Sequence, residues 1–310
     1  MIKKLIMMLN ISLIASLFLT ACQKADQKNE SDTLNIVATT TMLADLTKVI
    51  GGEHVNVDGL MGPGIDPHLY QASAGDVTLM QNADVVVYNG LHLEGKMGEI
   101  FESLTDRGSK VICIEDGLPK DQLLSWEDDS SVHDPHIWFD VSLWKSAAKT
   151  VADQLSEADP DHSPYYKKNL EAYMSELESL DTYIKERVKE IPEEQRVLIT
   201  AHDAFQYFGK AYGLEVRGLQ GISTDAEAGT ADVSSLADFI TQRKIKAIFV
   251  ESSVPPKTIE ALQAAVKSKG FDVIIGGELY SDSLGGVDSG AETYLLTVKA
   301  NVDTIVEALK

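Results

Sequence analysis

From Pro164 to Ile191 the chain runs 28 residues without a glycine or an internal proline, and this stretch constrains the fold more than any other. Apolar or aromatic residues recur at Leu170, Tyr173, Met174, Leu177, Leu180, Ile184 and Val188. Spacings of three and four put them on one face of a single helix, roughly 40 Å long at about 1.5 Å per residue. Pro192 stops it. The helix lies midway along the folded chain, so it reads as a rigid rod between two lobes.

On each side of the rod, short β-branched runs alternate with amphipathic segments. "LNIVATTT", "VNVDGLM", "DVVVYNG" and "KVICIED" precede it; "RVLITA", "EVRGLQ", "KAIFVESS" and "FDVIIGGEL" follow. This alternation predicts an α/β fold of two lobes, each a four-stranded, mostly parallel sheet flanked by helices. The expected boundaries are 34–160 for the first lobe, 161–191 for the linking helix and 192–310 for the second lobe.

The first residues place the chain outside the cytoplasm. Lys3 and Lys4 precede an apolar run from Leu5 to Leu19, too short to span a bilayer comfortably and suited to a secretory signal. It ends in Leu19-Thr20-Ala21-Cys22, which resembles a bacterial lipobox, in which cleavage leaves a lipidated cysteine. Residues 1–21 read as the signal peptide and 22–33, polar and unpatterned, as a tether anchored at Cys22 on the extracytoplasmic face of the cell membrane. With Cys22 lipidated, Cys113 has no disulfide partner and reads as a buried small hydrophobe. Loss of Lys3 and Lys4 takes the formal charge from −21 to −23. Such a chain repels nucleic acid and anionic lipid surfaces and concentrates cations.

Seven histidines remain to be placed. His54, in a turn, and His162, at the start of the rod, read as solvated; His92 reads as a satisfied loop histidine. His68, His136 and His202 each follow a strand end, and so does Asp282. Parallel sheets bind ligands beyond the carboxyl ends of their strands. A cleft between facing lobes thus gathers three imidazoles and one carboxylate, a donor set for a divalent first-row metal. His68 and His136 each close an Asp-Pro-His triplet, where proline restricts the backbone leading to the imidazole.

"GPGIDPHLYQAS", "DPHIWFDVSLW", "VLITAHDAFQYFG", "GLQGISTDAE", "VESSVPPKTIE" and "GGELYSDSLG" resemble the successive signatures of the manganese/zinc-binding lipoproteins of bacterial ABC importers. The resemblance covers nearly the whole chain. It implies two βα lobes bridged by one helix, one divalent ion as cargo in the cleft, and His68, His136, His202 and Asp282 as its ligands. It also implies a solute-binding protein rather than an enzyme, monomeric, serving a membrane permease and its ATPase. Read from their positions alone, His133, beside the second triplet, and Glu251, after a strand, are expected as neighbours of the site, although a loop could present either His133 or His136 as the ligand. Zinc-dedicated relatives carry a histidine-rich acidic loop in the first lobe, whereas residues 93–132 here contain no histidine. Mn²⁺ is the expected cargo and Zn²⁺ a tight competitor, favoured by the divalent affinity series. The alternatives are a zinc-specific importer subunit, a surface metallohydrolase with Glu251 as base, or a haem or siderophore receptor.

Overall fold

The computed structural model describes residues 33–125 and 132–310. The signal segment, the tether with Cys22, and residues 126–131 lie outside the described residues. The first half forms a four-stranded parallel sheet from β1 (Leu34–Ala38), β2 (Val55–Gly59), β3 (Val85–Tyr88) and β4 (Lys110–Cys113), in the order β2-β1-β3-β4. The chain steps to one side of β1 for β2 and to the other for β3. The carboxyl ends of β1 and β3 therefore flank a switch point, where such sheets bind ligands. Ile36, Val37, Ala38, Val85, Val86 and Val87 are all buried, as expected for strands covered on both faces.

The second half contains β5 (Val197–Thr200), β6 (Glu215–Gly218), β7 (Ala247–Glu251) and β8 (Ile274–Leu279). All four expected strands are present, but their hydrogen bonds form two parallel pairs, β5–β6 and β7–β8, instead of one ladder. β5 and β7 lie side by side. A side chain closes their seam: the Glu251 carboxylate accepts from the backbone N–H of His202 at 2.9 Å. The β7–β8 register slips between Ile248 and Val250, opposite Gly276 and Gly277. A Cβ on Gly276 would stand 2.7 Å from Ala308, and Gly277 has φ 147°. The bulge thus needs glycine both for its backbone and for the approach of the C-terminal helix.

Nine helices cover these sheets among the described residues: α1 (Thr41–Gly51), α2 (Ala74–Asn82), α3 (Gly98–Asp106), α4 (Val141–Ala158), α5 (Ser163–Val188), α6 (Gln206–Tyr212), α7 (Thr230–Arg243), α8 (Lys257–Ser268) and α9 (Tyr294–Leu309). α5 is the expected rod, 26 residues long and about 39 Å by its rise. It ends at Val188 because Glu190 and Ile191 donate to Arg187 and Val188 in tighter i to i−3 turns ahead of Pro192. Its buried face carries Tyr166, Tyr173, Leu177, Leu180, Ile184 and Val188, while Leu170 and Met174 are half-buried.

α5 packs against α1 and α4 from the first half and α6 and α9 from the second. One apolar cluster consequently runs from Ile36 to Leu309. Its aromatic junction joins three helices: Trp144 of α4 stacks on Tyr294 of α9, ring centroids 4.7 Å apart, and donates its indole N–H to the Tyr173 hydroxyl of α5 at 3.0 Å. Separate clusters fill the space between β5, β7, α7 and α8 and the face of the first sheet beneath α2 and α3. No helix among the described residues is long and apolar enough to cross a membrane.

Since Trp144 is fully buried at this junction, Trp144→Ala should destabilise the fold by about 3–5 kcal/mol. Denaturant unfolding should show one transition shifted to lower midpoint. A parental midpoint would contradict a core shared by both halves.

Candidate metal centre

The four residues picked out at strand ends converge. His68, His136, His202 and Asp282 are all buried, and one donor atom from each lies within 4.8 Å of the others. His68 follows β2, His136 precedes α4, His202 follows β5 and Asp282 follows β8. The Nε2 atom of His136 is 3.3 Å from Nε2 of both His68 and His202. It is also 3.3 Å from Asp282 Oδ1, while His202 Nε2 is 3.4 Å from Asp282 Oδ2.

These separations have a simple physical reading. Donors at about 2.1 Å from a tetrahedral ion stand about 3.4 Å apart. Three ring nitrogens facing one another repel when all present lone pairs, and a cation among them relieves that repulsion. Asp282 Oδ1 has the His136 ring nitrogen 3.3 Å away and no fixed hydrogen-bond donor among the described residues, so this buried carboxylate needs positive charge beside it, from a proton on that ring or from a metal ion. The group can hold one divalent metal ion.

Carboxylates behind the rings fix their tautomers. Asp134 Oδ1 lies 2.6 Å from His136 Nδ1 and Glu251 Oε2 lies 2.5 Å from His202 Nδ1. With Nδ1 donating backward, Nε2 is left to present its lone pair forward, as metal-ligating histidines do. Asp282 is steadied by the Ser253 hydroxyl, which donates to Oδ2 at 2.9 Å.

The repeated Asp-Pro-His has a fuller explanation here than proline stiffness alone. In each copy the aspartate folds forward over the proline and accepts the histidine backbone N–H: Asp66 from His68 at 2.9 Å, Asp134 from His136 at 3.0 Å. Such Asx turns preset the chain. Around the second copy, Ile137, Trp138 and Phe139 are buried. Tyr207 of α6 donates to the Asp134 carbonyl at 2.9 Å, and the Trp138 indole donates to the Ser281 carbonyl at 2.9 Å, beside Asp282. Gly218 lets the His202 loop approach β6, since a Cβ there would stand 2.4 Å from Asp203 N.

The other candidates fall elsewhere. His133 bridges to Ser125, outside the group, with Nδ1 buried and unpaired among the described residues. Glu251 stands behind His202 with both oxygens engaged by that residue. His92 is exposed, on a left-handed turn with φ 62°. His54 and His162, expected to be solvated, are half-buried and stack at 3.8 Å, and His162 pairs with Asp159 at 2.8 Å. They brace the foot of the rod. Cys113 is half-buried rather than buried, its thiol pushed up to about 11 chiefly by burial.

Sequence reading missed Asp134 and Asp66 as supports. Their signal was the aspartate of each triplet. Ser253, in "ESSVPP", had no comparable signal.

Burial lowers the His136 imidazole, but the charge and hydrogen bond of Asp134, with Asp282, outweigh it and push the group up to about 9. Burial opposes a charge on His202 too, yet Glu251 and Asp282 hold it well above the usual imidazole range. Asp282 is raised by burial and lowered further by His202 and His136, ending well below the carboxylate range. His68 has no such carboxylate behind it, and burial drives it down to about 3. His68 is therefore neutral at physiological pH, whereas the other two rings carry protons that a metal must displace.

Below about pH 9 the proton on His136 competes with the metal, so affinity falls on acidification and rises toward that value. Calorimetry at pH 7.5 in buffers of different ionisation enthalpy should show at least one proton released per ion. Binding without proton release would contradict a protonated, positively charged His136 in the metal-free site.

Comparison with known proteins agrees with this geometry. The family described as "ZnuA: Zinc-uptake complex component A periplasmic" matches residues 36–308. The chain is 49% identical over 275 residues to the zinc-binding protein TroA of Treponema pallidum, covering 88% of each. It is 44% identical over 299 residues to the manganese-binding lipoprotein MntA of Bacillus subtilis, covering 96% of this chain and 97% of that one. The solved structure of the periplasmic zinc-binding protein TroA from Treponema pallidum superposes with a TM-score of 0.86 at 48% identity, covering 89% of this chain and 99% of the other. A family match across nearly all of the folded chain, with relatives of this likeness, means that the protein belongs to the zinc-uptake component A family of periplasmic metal-binding proteins.

Proposed function

We propose that this protein captures a divalent transition metal outside the cytoplasm, through His68, His136, His202 and Asp282, and delivers it to the permease of an ABC importer driven by its ATPase. The observation that carries this reading is the buried three-imidazole, one-carboxylate group, in which His136 Nε2 stands 3.3 Å from a donor of each of the other three and all four donors lie within 4.8 Å of one another. Residues 1–21 are removed as a signal peptide, Cys22 carries the lipid, and residues 22–33 tether lobes 34–160 and 192–310, joined through 161–191, to the membrane. Relatives named as lipoproteins support that anchor.

Manganese is the proposed cargo, with zinc as a tight competitor. Relatives named for each metal match this chain. Three nitrogens and one carboxylate favour Zn²⁺ on intrinsic affinity. Both oxygens of Asp282 face ring nitrogens, which gives a larger ion room for a further bond, so availability decides the physiological cargo.

The metallohydrolase alternative needs a free general base. Glu251, its candidate, is buried and committed to His202 through both oxygens. The family is a transport component, not an enzyme.

Metal analysis and titration of the full chain in detergent test the proposal. One Mn²⁺ or Zn²⁺ should bind per chain, with no turnover of ester or phosphoester substrates. His136→Ala should weaken binding by about a hundredfold or more, above the 10–100-fold typical of losing an outer support. His133→Ala should leave stoichiometry unchanged. The reverse order of effects would move the site off the second Asp-Pro-His.

A further inference from the structure

Of the four grouped residues His68 is the least shielded, 5% exposed against 2% for Asp282 and 0% for His136 and His202. His68 alone among them lines an adjoining surface cavity of about 490 Å³, walled by His92, Gly95 and Lys96 on one side and Gly221, Ser223 and Asp225 on the other. An ion pair crosses this cavity's walls: Lys96 Nζ lies 3.2 Å from Asp225 Oδ1, with 35% and 58% of the side chains exposed. One partner follows β3 in the first half and the other follows β6 in the second. Asp225 is also near enough for its charge to act on His68.

The neighbouring residue fixes where movement is allowed. Thr224 donates its hydroxyl to Asp66 Oδ2 at 2.5 Å, and Asp66 Oδ1 holds the His68 backbone N–H. The loop is therefore pinned to the His68 turn at Thr224, leaving the Lys96 and Asp225 side chains as the movable groups. An ion pair this exposed is weak and opens readily.

Resting on the metal site of the proposed function, we infer that this cavity is the passage by which the ion reaches and leaves His68, with Lys96 and Asp225 as its gate. Asp225 draws a divalent cation toward the imidazole. Lys96 repels it and occupies the carboxylate when no ion is passing. These roles concern rates, so they separate from those of the four grouped residues, which set affinity.

Stopped-flow mixing of the full chain in detergent with Mn²⁺ or Zn²⁺ tests this, followed by tryptophan emission, since Trp138 lies 5.2 Å from the His136 ring. Lys96→Gln should raise association and dissociation rates together by about threefold or more at low salt, leaving Kd nearly unchanged. Asp225→Asn should slow association by a similar factor and flatten its dependence on ionic strength. Parental rates in both variants would overturn the passage while leaving the metal site intact. A change confined to dissociation in Lys96→Gln would also overturn it, by making the ion pair a brace on the bound state. Absence of metal binding in the parent would instead defeat the functional reading itself.

Discussion

The structure turns on a local electrostatic conflict: three imidazole nitrogens and a carboxylate are packed face to face in a buried space, where only a cation makes them compatible. Asp134, Glu251 and Asp282 are all buried there. With neutral histidines, these carboxylates place three negative charges in a region of low polarisability, a costly arrangement. Protons on His136 and His202 offset part of that charge, and a divalent ion offsets the same amount while using the Nε2 lone pairs. Metal and protons are thus alternative solutions to one constraint.

Everything around the site serves to hold that conflict in place. The four donors come from loops after β2, before α4, after β5 and after β8, so no single element can present them. Their spacing depends on the two halves keeping a fixed relation. That is the work of α5, which packs against helices from both halves, and of the Trp144, Tyr173 and Tyr294 junction, where three helices share one set of ring contacts. Closer in, the Tyr207 bond to Asp134 and the Trp138 bond to Ser281 tie the His136 turn to the second half. A preorganised donor set loses little entropy when the ion binds.

Much of this could be read from the amino acids. β-Branched runs such as Val85–Tyr88 and Ala247–Glu251 announce strands, and the glycine-free stretch around Tyr173 and Leu177 announces the rod, because periodicity is a local property. His68, His136, His202 and Asp282 stood out through their place beyond strand ends. The split of the second half into two ladders was not legible, since it depends on the glycine bulge in β8 and on how β5 settles beside β7. Glu251 was expected near the site, but its pairing with His202, 49 residues away, was not, because no sequence spacing reveals that contact. Asp134, two residues from His136, was legible in the triplet, which was read only for its proline. His54 and His162 were read as solvated because each sits in a polar local sequence, yet tertiary packing stacks them on one another.

The central claim is that one divalent ion occupies the point shared by His68, His136, His202 and Asp282. Anomalous diffraction from crystals of the protein grown with Mn²⁺, recorded on either side of the manganese absorption edge, tests it most directly. A single strong peak should appear within bonding distance of the three Nε2 atoms and the Asp282 carboxylate. A peak held by other residues, or none at that point in a manganese-saturated protein, would contradict it.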